Sequence, residues 1–140
     1  MTAPARQLHL FRGKRQKGMA PPGPSEFQLH VTIADMLRRW ALPGIEWTHI
    51  PLGELRSAAT AAKLARMGTR RGWADFQIFH ADGRVIFLEI KRKGGRLSED
   101  QQRIADHMRR AGHRFEVIDS IETAIAVLVA WGAVRSMTVQ

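Results

Sequence analysis

Cysteine is absent from this 140-residue chain. That excludes disulfides and thiolate chemistry and argues against a structural zinc site. Long apolar runs are missing too: the longest, Ala124 to Val134, has the length of a core helix, well short of the roughly 18–20 residues that span a bilayer. The start, Met1 to Leu10, has no apolar stretch of the secretion type, so a cytoplasmic protein is expected. No internal repeat is visible, and residues 1–24 contain no acid.

What is present is positive charge over a sizeable apolar fraction. Apolar residues make up 44% of the chain, enough for one domain with a genuine core. Lys and Arg number 22 against 13 acids, a net charge of +9, and the pI is near 11.4. Such a surface calls for a polyanionic partner and says nothing about fold. Without a membrane-length segment, nucleic acid is the better reading than a lipid surface.

Arg6, Arg12, Lys14, Arg15 and Lys17 precede Pro21-Pro22-Gly23-Pro24. Residues 1–24 therefore read as a basic disordered arm with a stiff end, which either tracks phosphates or only solubilises. The domain proper is expected over 25–134 and a short tail over 135–140. Ser25 with Gln28 forms a capping box that opens a helix to about Trp40, stopped by Leu42-Pro43-Gly44. Ile45 to Ile50 alternates as a strand, and Ala58 to Met67 is a short alanine-rich helix closed by Gly68. Ala74–His80 and Arg84–Lys91 read as paired strands. A second capping box, Ser98 with Gln101, opens a helix to Ala111. Arg114–Asp119 is a strand, and Ser120 caps a helix to about Trp131. The order is α-β-α-β-β-α-β-α.

The hairpin concentrates the chemistry. With Ala81-Asp82-Gly83 as a three-residue connection, His80 faces Arg84 and Asp75 falls opposite Glu89. Side chains alternate, so Asp75, Glu89 and Lys91 share one face while Phe76, Ile78, Ile86, Leu88 and Ile90 fill the other. A two-residue loop would set Asp75 opposite Ile90, on the wrong face. Opposed carboxylates repel unless a cation lies between them. Mg²⁺ commonly binds through one or two carboxylates plus substrate phosphate. The plain alternative for Glu89 and Lys91 is a solvated strand end. Two further polar residues on apolar helix stripes favour a site. Glu26 shares the stripe of Leu29, Ile33 and Leu37, and Gln101 begins that of Ile104, Ala105 and Met108. Both positions also suit capping.

These residues resemble the VRR-NUC branch of the PD-(D/E)xK nuclease superfamily. Gly72-Trp73-Ala74-Asp75 looks like its Gly-x-Pro-Asp element, with alanine in place of proline. Leu88-Glu89-Ile90-Lys91 matches the Glu-x-Lys strand, and the Ser98-to-Gln101 helix start is similar to the family's Ser-x-x-Gln. Gly112 and Val117–Ser120 look like its Gly-to-strand-to-Ser segment. The resemblance spans about Ser25 to Val134. It implies an α/β, PD-(D/E)xK nuclease-like mixed central sheet flanked by helices. It implies Asp75, Glu89 and the Ile90 backbone carbonyl as ligands of Mg²⁺ or Mn²⁺, Lys91 as the catalytic lysine, and Gln101 in support. Glu26 becomes the helix-one acid and a possible extra ligand. A homodimer cutting branched or junction DNA, in a bacterium or a phage-infected host cell, also follows from it.

Arg56, Lys63, Arg66 and Arg70 lie at helical spacings that predict one positive face, with Arg71 just beyond. Arg92, Lys93 and Arg96 follow Lys91 directly. Both clusters suit phosphate positioning. Among the histidines, His30 lies four residues after Glu26 and either reaches the site or sits as a satisfied core histidine. Trp40, Trp47, Trp73 and Trp131 read as core or dimer contacts more than as base-stacking platforms, except that Trp73 adjoins Asp75 and is open to substrate. The rival from another class is a non-catalytic module that binds DNA or RNA, which charge alone supports equally well.

Overall fold

A computed structural model describes residues 23–52 and 56–136. Apart from Gly23, Pro24, Arg135 and Ser136, the expected arm and tail lie outside the described residues. The elements are α1 (Glu26–Trp40), β1 (Ile45–His49), α2 (Ala58–Arg66), β2 (Phe76–His80), β3 (Val85–Ile90), α3 (Glu99–Arg110), β4 (Arg114–Ile118) and α4 (Ile121–Trp131). This is the expected order, with ends moved by one or two residues.

Local chemistry accounts for the helix starts. The Ser25 hydroxyl accepts the Gln28 N–H at 3.1 Å and the Gln28 side chain accepts the Ser25 N–H at 2.8 Å. Ser98 and Gln101 repeat the exchange at α3, and the Ser120 hydroxyl caps α4. Such caps satisfy amide groups that a helix leaves open at its N-terminus.

The four strands lie in the order β1-β2-β3-β4. β1–β2 and β2–β3 are antiparallel and β3–β4 is parallel, so the sheet is mixed. The hairpin has the expected register. His80 N–H donates to Arg84 O at 2.9 Å, Phe76 pairs with Leu88 and Ile78 with Ile86. Gly83 takes a φ of +94°, which an L side chain resists. Since alternate residues point to opposite faces, this register decides which side chains meet.

Two apolar layers enclose the sheet. Leu29, Ile33 and Leu37 of α1 and Ala124 and Leu128 of α4 pack on Phe76, Ile78, Ile86, Leu88 and Ile90. On the other face Ile104, Ala105 and Met108 of α3 pack on Ala74, Phe87 and Phe115. β3 is interior and buried from Ile86 to Ile90, so any polar group on it is withdrawn from water.

Gly72 fits the chain against α3. Its φ is +95°, and a Cβ there would lie 2.4 Å from the Asp100 carbonyl oxygen, which is backbone and cannot swing away. Gly72→Ala should therefore lower stability by about 2–4 kcal/mol, from left-handed strain plus displacement of the α3 start. An unchanged urea midpoint would show that the packing is otherwise.

Candidate active site

Asp75, Glu89 and Lys91 come together where β2 begins and β3 ends. Asp75 Oδ2 accepts the Ile90 N–H at 2.7 Å. Its carbonyl oxygen accepts the Ile50 N–H at 2.7 Å and lies 2.8 Å from His49 Nδ1. A carbonyl can only accept, so Nδ1 carries the proton. Asp75 is thus pinned from β1 through its backbone and from β3 through its carboxylate. Burial pushes its pKa up; the Ile90 hydrogen bond and the nearby His30, His49 and Lys91 act against that.

Glu89 is 2% exposed. Its Oε1 accepts from Gln101 Nε2 at 2.7 Å and faces Lys91 Nζ at 3.3 Å. Its Oε2 is buried with no hydrogen-bond partner among the described residues. Burial, then repulsion from Asp75, drives its pKa up to about 7, against the pull of Lys91. Leaving a carboxylate oxygen buried and unpaired costs free energy, which a cation at that oxygen would offset. The residues present therefore fit a divalent metal. Among the described residues no group of three or more His, Asp or Glu side chains is arranged as a metal cage. That leaves the acid pair, the number with which Mg²⁺ commonly binds while keeping its waters.

Of the two helix-borne polar residues, Gln101 takes both roles that the sequence left open. Gln101 caps α3 through Oε1, which accepts the Ser98 N–H, and holds Glu89 through Nε2. One amide does both because it has an acceptor and donors at opposite corners. Glu26 Oε1 accepts the Arg92 N–H at 3.3 Å, tying the start of α1 to the chain just past Lys91. Gly94, at φ +82°, turns the chain beyond Lys91, and a Cβ at Gly95 would lie 3.3 Å from that of Lys91. This doublet folds the loop closely over the lysine stem.

Two histidines join the site that sequence reasoning underweighted. His30 Nε2 lies 3.8 Å from Asp75 Oδ1, and its ring stands edge-on to that of His49 at 4.8 Å. Burial lowers the His30 pKa, opposed by Asp75. The signal for His30 was its position one turn after Glu26. None existed for His49, which reaches Asp75 because β1 pairs His49 with Phe76.

The basic residues distribute differently from the expected single face. α2 ends at Arg66, so helical spacing does not carry to Arg70, and Arg56 precedes the helix. Arg56, Arg70 and Arg71 instead line one cavity of about 590 Å³ together with Asp75 and Gln101, whereas Lys63 and Arg66 line another. The Arg56 guanidinium donates to the Pro51 carbonyl. Arg92, Lys93 and Arg96 are exposed around the loop after Lys91. Among the described residues, no carboxylate forms an ion pair with any of these eight.

The family model of the VRR-NUC domain matches residues 26–122. A solved structure described as "VRR_NUC domain protein" is similar at a TM-score of 0.61 and 20% identity, over 78% of this chain and 88% of that one. Another, a "VRR_NUC domain", is similar at a TM-score of 0.55 and 16% identity, over 77% and 97%. Both likenesses speak to the fold. No curated protein matches the chain.

Proposed function

The chain belongs to the VRR-NUC domain family, a nuclease-type domain, and we propose that it is a metal-dependent endodeoxyribonuclease hydrolysing phosphodiester bonds, favouring branched or junction DNA. One observation carries this reading. A buried glutamate faces a lysine at 3.3 Å and is repelled by a second carboxylate, with one oxygen unpaired among the described residues. A solvated strand end would have neither the burial nor the orphaned atom.

Asp75 and Glu89 would hold Mg²⁺ or Mn²⁺, with the Ile90 carbonyl as a further oxygen. Bound there, the ion supplies Lewis-acid polarisation of a phosphoryl oxygen and of water. The protein's own groups do the rest. Gln101 Nε2 donates to Glu89 Oε1 and so leaves Glu89 Oε2 free. The Ile90 N–H and the donors from β1 fix Asp75. Preorganisation of this kind spares the site from reorganising during reaction. Lys91 keeps part of its side chain open to solvent. Its ammonium can donate to the attacking water or to charge growing on the phosphoryl oxygens. The exposed arginines of the Arg56–Arg70–Arg71 cavity and the Arg92–Lys93–Arg96 loop would position the strand through its phosphates.

The purified chain, incubated with flaps, four-way junctions, single strands and duplex, should yield products with Mn²⁺ or Mg²⁺ and none with EDTA. Binding without products on every substrate and with either metal would identify a non-catalytic module instead. Light scattering on the same material tests the homodimer.

A further inference from the structure

Asp75 forms part of the wall of two cavities whose chemistries differ. The basic one carries Arg56, Arg70 and Arg71. The other, about 510 Å³, lies along α1 and β1 and is lined by Phe27, Val31, Trp47, His30 and His49, with Glu26 also on its wall. We propose that this second cavity binds an unpaired nucleobase next to the scissile phosphodiester, so that the protein selects DNA with unpaired nucleotides at the cut. The proposal rests on the nuclease reading above and adds to it a substrate feature.

The lining is aromatic and apolar where a base needs a stacking surface. Phe27 is 76% exposed and Val31 42% exposed, though they sit one turn apart on α1. The core does not require them, since α1 buries Leu29, Ile33, Met36 and Leu37 on another face. The volume falls within the range of small-ligand pockets, roughly 300–1,000 Å³. Arg38 also lines the cavity, with its guanidinium 5.8 Å from the Trp47 ring centroid. Its ion pair with Asp35 is between exposed groups, so it holds Arg38 only weakly and leaves it available to a phosphate. A strand crossing Asp75 would thus meet arginines on one side and a stacking surface on the other.

A second copy of the chain fits this cavity less well. A stable interface buries about 800 Å² per partner. Among the described residues, the other large exposed apolar side chains, Met67, Phe79 and Ile121, do not line this cavity. Base stacking on an aromatic side chain needs no such area and tolerates any base.

The test uses the full chain in EDTA, with a single strand carrying 2-aminopurine and the corresponding paired duplex. Phe27→Ala should lower the ratio of single-strand to duplex affinity by about tenfold and remove the change in 2-aminopurine fluorescence on binding. Phe27→Trp should keep both and Phe27→Leu should lose both, since stacking and not apolarity is at issue. An unchanged ratio in Phe27→Ala overturns the proposal, as does a fluorescence that never responds to wild type. So does a Phe27→Ala chain that changes its oligomeric state in light scattering while the ratio holds, which would make the face a contact between copies. No metal is present, so the outcome is independent of cleavage. A falling ratio in a protein that never cuts DNA would leave the base site standing and remove the nuclease reading.

Discussion

Glu89→Gln should make the metal-free protein more stable at pH 8 while destroying its nuclease activity. The stabilisation follows from the direction of the Glu89 pKa, which burial and Asp75 raise from 4.5 to about 7. A carboxyl group held above its unfolded value binds its proton more tightly in the folded chain. Its contribution to stability is full below about pH 4.5 and is lost as pH rises through 7. At pH 8 the buried charge costs about 3 kcal/mol. Glutamine has nearly the same shape, keeps an oxygen for the Gln101 amide and carries no charge. It does place an NH₂ where Oε2 was unpaired, a penalty of about 1 kcal/mol. The expected net gain is about 2 kcal/mol at pH 8, vanishing or reversing near pH 4.5. Urea unfolding in EDTA across that range reads it directly. Parallel stability profiles for the two proteins would mean that Glu89 is not a strained buried acid. Mg²⁺ at the proposed site should act oppositely, since a metal ligand must be in its charged form. It should raise the melting temperature of the wild type more at pH 8 than at pH 6, and that of Glu89→Gln at neither.

A stability gain from removing one acid would mark a residue kept for its chemistry. Much of the geometry around Glu89 could be read in advance because its determinants are local. Asp82-Gly83 sets the turn, the turn sets the register, and the register brings Asp75 to the Ile90 amide and Glu89 to the α3 face. The Ser25–Gln28 and Ser98–Gln101 spacings set two helix starts and thereby the depth at which Glu26 and Gln101 enter. What stayed hidden depends on elements remote in sequence. His49 meets Asp75 only once β1 is laid beside β2, a pairing that no periodicity encodes. The parallel placement of β4 against β3 likewise follows from the α3 crossover and the burial of Phe115. The expected basic face failed for a related reason. Helical spacing does not extend past Arg66, because Gly68 and Gly72, both at positive φ, redirect the chain. The redirected chain still delivers Arg70 and Arg71 to Asp75, through the fold and not along a helix.

Asp75→Asn and Lys91→Ala should each reduce cleavage by at least about 10²–10³-fold, with DNA affinity in EDTA near that of wild type. The two losses have different origins. Asn keeps an acceptor for the Ile90 N–H, so the start of β2 stays in place. It removes one of the two negative charges of the proposed metal site, so raising Mn²⁺ should recover part of the activity. Lys91→Ala removes a donor from the reaction and also the cation that holds the Glu89 pKa down. Glu89 then protonates more readily, and the pH at which activity appears should shift upward for whatever cutting persists. Lys91→Arg should not restore the rate, because a planar guanidinium presents its donors in a different geometry from a compact ammonium. Single-turnover kinetics over a metal titration separates the cases: saturation recovers Asp75→Asn partially and Lys91→Ala not at all. Full activity in either variant, with the fold intact, would move the chemistry elsewhere in the molecule and leave the pair of Asp75 and Glu89 as an expensive structural feature without a use.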